Sequence, residues 1–166
     1  MKRTDLYLSF DRGFDEVGKT TFDRVNRIND SLKFFGFSSC FVGEYMEGDF
    51  MEKMMSGVDN TALCVIIVTK RFISRLMSMD VCYKEFKYIQ KTRGSKSVFY
   101  IVMDSSCRDF TLWPEVMRVG LEVDHIYSFT KVSCRILLQK KNIYIIPENL
   151  VSISNYCYFY YYYYYY

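Results

Sequence analysis

Two side chains that can take part in chemistry stand three residues apart in the segment 80–86, which reads Asp-Val-Cys-Tyr-Lys-Glu-Phe. The segment reads as a helix, and on a helix this spacing places the Cys82 thiol and the Glu85 carboxylate on one face. From the pattern alone, Glu85 is read as a solvated helix acid paired with Lys84 or Lys87. A role in catalysis therefore needs a further argument.

A second polar group lies near the start of the chain, where a short apolar strand runs into a polar turn. The segment 5–13 reads Asp-Leu-Tyr-Leu-Ser-Phe-Asp-Arg-Gly, so Asp11 and Arg12 directly follow the strand. In open parallel sheets, ligands bind beyond the carboxyl ends of the strands, near the point where the strand order reverses. We therefore expect the chemistry in the loops after the first and third predicted strands.

The elements that position these residues alternate between strands and helices. Gly36 ends an amphipathic helix, and the continuous β-branched run at 62–68 is typical of a central parallel strand. The pattern predicts strands at 6–10, 37–42, 62–68 and 98–103, a weaker one at 123–129, and helices at 20–35, 50–58 and 80–92. This alternation predicts an α/β, flavodoxin-like three-layer fold with a five-stranded parallel sheet in the order 2-1-3-4-5.

Charge and cysteine content exclude several classes of function. Residues 1–130 carry 18 basic and 18 acidic side chains, so no basic excess favours nucleic-acid binding. His125 is the single histidine, and the six cysteines form no C-x-x-C pair, so we expect no metal site. No uncharged apolar run is long enough to span a membrane. The scattered cysteines predict free thiols in a reducing cytoplasm.

The character of the chain changes after residue 130. Ten of the 16 tyrosines lie in 131–166, seven of them in the terminal run 160–166. Such a low-complexity tract is predicted to be disordered. The alternative is that it is not genuine coding sequence, because residues 131–133, Lys-Val-Ser, can be encoded by an exon end followed by a splice donor. We therefore divide the chain into a domain at 1–130 and a Tyr-rich tail at 131–166.

A competing interpretation comes from the first loop. The segment 13–20, Gly-Phe-Asp-Glu-Val-Gly-Lys-Thr, fits the P-loop pattern G-x-x-x-x-G-K-[ST] between a predicted strand and a predicted helix. This pattern predicts a nucleotide-binding protein in which Lys19 contacts phosphates. Asp15 and Glu16 oppose this interpretation, because their charges repel a phosphate cradled by backbone N–H groups.

Four segments, taken in order, resemble the Toll/interleukin-1 receptor (TIR) domain family over about residues 4–130. Residues 5–10 resemble the first box of the family, 44–49 its BB loop, and 65–75 its third strand and the loop that follows. Residues 82–86, Cys-Tyr-Lys-Glu-Phe, are similar to the family's W-C-x-x-E-L segment. Val81 stands where the family has tryptophan, and phenylalanine replaces leucine at the end.

The resemblance implies an activity and a set of site residues. In enzymatic members, the glutamate of that segment cleaves the bond between nicotinamide and ribose in NAD⁺. Glu85 would take this catalytic role, because a carboxylate stabilises the oxocarbenium character that develops on the ribose. Ser9, Asp11 and Arg12 would bind the substrate on its nicotinamide and phosphate side, and Cys82 would form a wall of the pocket. NAD⁺ is then a substrate, and no cofactor is expected.

The resemblance also implies partners. TIR domains act by contacts with other TIR domains, either copies of themselves or different members. The interface would lie in the BB-loop segment of this chain, at Tyr45, Met46, Gly48 and Asp49. A non-catalytic signalling module that works through such contacts stays open beside the NAD⁺-cleaving enzyme.

Overall fold

The structure of the chain is a computed structural model that describes residues 4–34, 36–41, 50–94, 97–119, 126–128, 134–139 and 142–147. Strands and helices alternate along most of this length. The strands are β1 (Thr4–Phe10), β2 (Ser39–Cys40), β3 (Thr61–Val68), β4 (Val98–Val102), β5 (Ile126–Ser128), β6 (Cys134–Gln139) and β7 (Asn142–Pro147). The helices are α1 (Thr21–Phe34), α2 (Phe50–Asp59), α3 (Lys70–Met77), α4 (Val81–Arg93) and α5 (Glu115–Arg118), with two short 3₁₀ turns between β4 and α5.

The main sheet is parallel, and the predicted α/β fold class is confirmed. β1 pairs with β2 on one side and with β3 on the other, and β4 follows β3, so these four strands lie in the order 2-1-3-4. Of the fifth predicted strand, 123–129, the structure describes only β5, whose three residues pair in parallel with the outer edge of β4. The strand predicted at 37–42 is reduced to the two residues of β2.

Helices cover both faces of this sheet. Alternation along β1 sends Leu6, Leu8 and Phe10 to the face covered by α1, whereas Tyr7 packs on the opposite face. On that opposite face, α2, α3, α4 and α5 cover β3 and β4. The predicted three-layer arrangement is therefore present in the described residues.

One helix was missed by the sequence analysis. Residues 70–75 were interpreted as part of the loop after the third strand, but they belong to α3. The Thr69 hydroxyl caps this helix by accepting a hydrogen bond from the Phe72 backbone N–H at 3.1 Å. Phe72 and Leu76 lie four residues apart and are buried, while the other face of the helix is charged. Because only two of its residues are buried, the segment has a weak helical pattern, and its charged residues are typical of a loop.

Two segments of the predicted Tyr-rich tail are described. β6 and β7 pair antiparallel as a separate hairpin, with Arg135 opposite Ile146 and Leu138 opposite Ile143. The remaining residues of 131–166 lie outside the described residues, and so does the whole of 42–49. The predicted nature of the tail therefore stays a prediction.

Packing between α2 and β1 leaves no room for a side chain at Gly57. A Cβ atom there would lie 2.8 Å from Cε2 of the buried Tyr7 ring. We expect Gly57→Ala to lower the free energy of unfolding by about 1 kcal/mol, because overpacking outweighs the gain in helix propensity. Urea unfolding measures this, with Glu52→Ala on the exposed side of the same helix as the control. A Gly57→Ala variant as stable as the control would contradict the close packing of α2 on Tyr7.

Candidate functional site

A cavity of about 240 Å³ lies at the carboxyl end of β1. β2 pairs only with Leu6 and Tyr7, so within the described residues the second half of β1 has no neighbouring strand on that side. The opening is bounded by the start of α2, by α3 and by the first turns of α4. Its lining residues are Leu8, Phe10, Arg12, Phe50, Arg75, Val81, Cys82 and Glu85. The structure brings three of the predicted site residues, Arg12, Cys82 and Glu85, together at this cavity.

Glu85 is the buried acid of this cavity. Only 6% of the residue is exposed, so the interpretation as a solvated helix acid paired with Lys84 or Lys87 is wrong. The Tyr7 hydroxyl donates a hydrogen bond to Glu85 Oε1 at 2.6 Å. Burial raises the pKa of Glu85 to about 7, and the hydrogen bond from Tyr7, the nearby Ser9 hydroxyl and the charge of Arg12 oppose that rise. The carboxyl group therefore changes its charge near neutral pH.

Arg75 is held at the cavity by two carboxylates from other elements. Its Nη1 lies 2.8 Å from Asp11 Oδ1, at the end of β1, and its Nε lies 2.5 Å from Asp80 Oδ2, at the start of α4. These hydrogen bonds raise the pKa of Arg75, so it is always charged. The guanidinium thus ties β1, α3 and α4 together around the cavity.

Asp11 has a structural position rather than a place in the cavity lining. It is 1% exposed, and it also pairs with Arg71 Nε at 2.9 Å and accepts a hydrogen bond from the Gly13 N–H at 2.9 Å. A Cβ atom at Gly13 would overlap the Arg71 side chain and lie 2.7 Å from Asp11 Oδ2, so a larger residue there would displace Arg71. The substrate-binding role of Asp11 stays a prediction, and its carboxylate is engaged by three donors.

The other predicted site residues differ in their position relative to the cavity: Arg12 and Cys82 line it, and Ser9 does not. Ser9 is buried in β1, next to the strand residues that line the cavity. Arg12 lies over two aromatic rings, with Cζ 5.8 Å from the Phe10 centroid and 5.2 Å from the Phe22 centroid. Cys82 forms part of the wall, and burial raises the pKa of its thiol to about 12.

Three residues of the site were missed from the sequence. Tyr7 was read only as an apolar strand residue, Phe50 only as the start of a helix, and Arg75 only as part of a loop. A signal for Arg75 was present: Arg71 and Arg75 stand four residues apart, which brings both to one face of a helix. Both guanidinium groups do converge on Asp11. For Tyr7, nothing local indicates that its hydroxyl meets a glutamate 78 residues later.

The loop that matches the P-loop pattern is closed by its own side chains. Asp15 Oδ1 accepts hydrogen bonds from the N–H groups of Val17 at 3.0 Å and Lys19 at 2.8 Å, and the Asp15 carbonyl accepts one from Gly18. The Glu16 N–H donates to Asp104 Oδ1. These are the backbone donors that a P-loop aims at phosphates, so the geometry disfavours the nucleotide-binding alternative.

Several predictions concern residues beyond the described ones. The predicted interface residues Tyr45, Met46, Gly48 and Asp49 lie in 42–49, and His125 also lies outside. Within the described ranges, no group of His, Cys, Asp and Glu could hold a metal ion. No helix in those ranges is long and apolar enough to cross a membrane.

Comparison with known proteins assigns no relative to the chain. No protein-family model matches it, and no curated protein matches it. The TIR resemblance thus stays a prediction that rests on the motifs and on the geometry of the site.

The raised pKa of Glu85 predicts how stability depends on pH. In the unfolded chain this carboxyl group ionises near its usual value of 4.5, whereas in the folded chain it ionises near 7. Between these values the folded state holds the extra proton, so the free energy of unfolding falls as the pH rises, by up to about 3 kcal/mol. Above about pH 7 this contribution is constant. Urea unfolding of the wild type and Glu85→Gln across pH 4–9 measures it; parallel curves for the two proteins would contradict the buried, proton-holding carboxyl.

The closed loop at 13–20 predicts that Lys19→Ala leaves nucleotide binding unchanged. In a P-loop, this lysine would hold the β- and γ-phosphates, and its loss would abolish binding. Here we expect no tight magnesium-dependent ATP binding by either protein in a titration. Tight binding by the wild type that disappears in Lys19→Ala would restore the nucleotide-binding alternative.

Proposed function

We propose that the chain is a TIR-type domain that acts through contacts with other TIR domains and cleaves NAD⁺ between nicotinamide and ribose. The observation that carries the enzymatic part is the buried carboxylate of Glu85, which faces a cavity at the carboxyl end of β1. Such a position, with a shifted pKa, is typical of functional acids in α/β proteins. The order and spacing of the sequence motifs support the same assignment.

The chemistry of this bond suits one carboxylate in an apolar cavity. Nicotinamide leaves as a neutral molecule with the electron pair of the glycosidic bond, and the ribose develops positive charge. An ionised Glu85 beside the ribose would stabilise that charge, and a low local dielectric strengthens the attraction. Water then adds to the ribose and loses a proton, which gives ADP-ribose.

The walls of the cavity provide complementary surfaces. Leu8, Phe10 and Phe50 offer apolar contact to a flat aromatic ring, and Arg12 and Arg75 add positive charge. With about 240 Å³, the cavity is large enough for a nicotinamide ring and its ribose but smaller than a whole dinucleotide, so the phosphates and adenosine would extend outward. Val81 stands at this opening and is 40% exposed, where the family has a larger tryptophan.

The self-association part of the proposal comes from the resemblance, since 42–49 lies outside the described residues. It predicts that NAD⁺ turnover per molecule rises with protein concentration. Turnover measured together with light scattering over a concentration series tests this. A specific activity that stays constant while the protein is monomeric would support an enzyme that needs no assembly.

Glu85→Gln is expected to lower NAD⁺ cleavage by about a hundredfold or more, because it keeps the shape of the side chain but removes its charge. Release of nicotinamide at high protein concentration measures the rate, and circular dichroism monitors the fold. Glu115→Gln, which changes an exposed glutamate of α5, is the matched control and should retain full activity. Equal turnover in both variants would remove Glu85 from the mechanism.

The pKa of Glu85 also predicts the pH dependence of turnover. Because the ionised form stabilises the positive ribose, kcat/KM should rise about tenfold per pH unit below pH 7 and level off above pH 7. A profile that is flat between pH 5 and pH 8 would show that ionisation of Glu85 does not limit the reaction.

A further inference from the structure

We propose that Tyr7 is a positioning residue for this cleavage: its hydroxyl holds the Glu85 carboxylate in one orientation and favours its ionised form. This inference rests on the function proposed above and adds a residue to it. Tyr7 does not line the cavity, so it would act through Glu85 rather than on the substrate.

The hydrogen bond between the two side chains is short and fully buried. Tyr7 Oη lies 2.6 Å from Glu85 Oε1, and the tyrosine is 1% exposed. A phenol hydroxyl that donates to an ionised carboxylate forms a charge-assisted hydrogen bond, which is stronger than one between neutral groups. The protonated carboxyl group gains less from the same donor, so the bond favours the charge that the reaction needs.

The ring of Tyr7 has little freedom to withdraw its hydroxyl. It belongs to β1, and Gly57 of α2 approaches it so closely that a Cβ atom would lie 2.8 Å from Cε2. Glu85 lies on α4, on the same face of the sheet. The hydroxyl is thus fixed between a strand and two helices, and the carboxylate is fixed with it. A phenylalanine would fill the same space but leave Glu85 Oε1 without this donor.

Other groups around Glu85 contribute in known directions. The Ser9 hydroxyl and the Arg12 charge lower the pKa of Glu85, as Tyr7 does.

Cys82 on the same helix and Cys64 on β3 have thiols whose pKa is raised to about 12, so they are neutral at working pH. Arg75 of α3 lines the cavity and stays charged. Cys40 of β2 faces Tyr7 itself, and burial raises the pKa of its thiol, so it is also neutral. Among these neighbours, Tyr7 donates the hydrogen bond of 2.6 Å to Glu85, and Tyr7→Phe removes that donor while it keeps the aromatic ring.

The test compares Tyr7→Phe with Tyr100→Phe in the full chain. Tyr100 is also a buried strand tyrosine, but its ring packs against Trp113 at 5.6 Å between centroids. The rising limb of the kcat/KM profile for NAD⁺ should move to higher pH by about 1–2 on the pH scale in Tyr7→Phe, and should stay in place in Tyr100→Phe. At high pH, turnover by Tyr7→Phe should return towards that of the wild type. A loss of turnover that is equal at every pH would overturn the inference.

A second readout does not depend on activity. In Tyr7→Phe, the pH range over which the free energy of unfolding falls should extend upward by the same amount as the kinetic limb. In the Glu85→Gln background, adding Tyr7→Phe should leave the pH dependence of unfolding unchanged. An unfolding range that does not move in Tyr7→Phe overturns the inference. The absence of NAD⁺ turnover in the wild type at all pH values instead overturns the proposed function, and the two failures are therefore distinguishable.

Discussion

The buried carboxylate of Asp11 is the constraint on which the site depends. Asp11 directly follows β1, and its charge is neutralised by Arg71 and Arg75 of α3. A buried charge is tolerated only with such partners, so α3 must lie where its two arginines reach the end of β1. Arg75 then pairs with Asp80, which caps α4 by accepting a hydrogen bond from the Cys82 N–H at 2.8 Å. The Asp11 carboxylate thus fixes the start of α4 through Arg75 and Asp80, and the start of α4 fixes the position of Glu85.

The fold class was predictable because the apolar runs have the lengths and periods of their elements. The run at 62–68 lies wholly within β3, and the helical spacing of Val25, Ile28 and Leu32 identifies α1, in which all three are buried. The short strands were less predictable, because the extent of β2 and β5 depends on pairing with neighbours and not on local sequence. α3 was not predicted because its apolar stripe consists of two buried residues in a charged segment.

The site was predictable only in part, for a related reason. Helical spacing predicts that Glu85 and Cys82 share one face of α4, but only the resemblance to TIR domains selects Glu85, Cys82 and Arg12 as site residues. The partners of these residues are distant in sequence: Tyr7 meets Glu85 across 78 positions, and Asp11 meets Arg75 across 64. The P-loop pattern at 13–20 shows the opposite error. The residue types fit the pattern, but the Asp15 carboxylate accepts hydrogen bonds from the backbone N–H groups that would bind phosphate. A pattern of allowed residue types does not predict such contacts.

Cys82 forms part of the cavity wall, and its buried thiol has consequences for reagents that enter the cavity. With a pKa of about 12, roughly one molecule in 10⁵ carries the thiolate at pH 7. Alkylating agents and peroxides react with the thiolate, so this cysteine resists both although it borders an open cavity. An electrophilic inhibitor that fits the cavity would consequently label Cys82 only slowly.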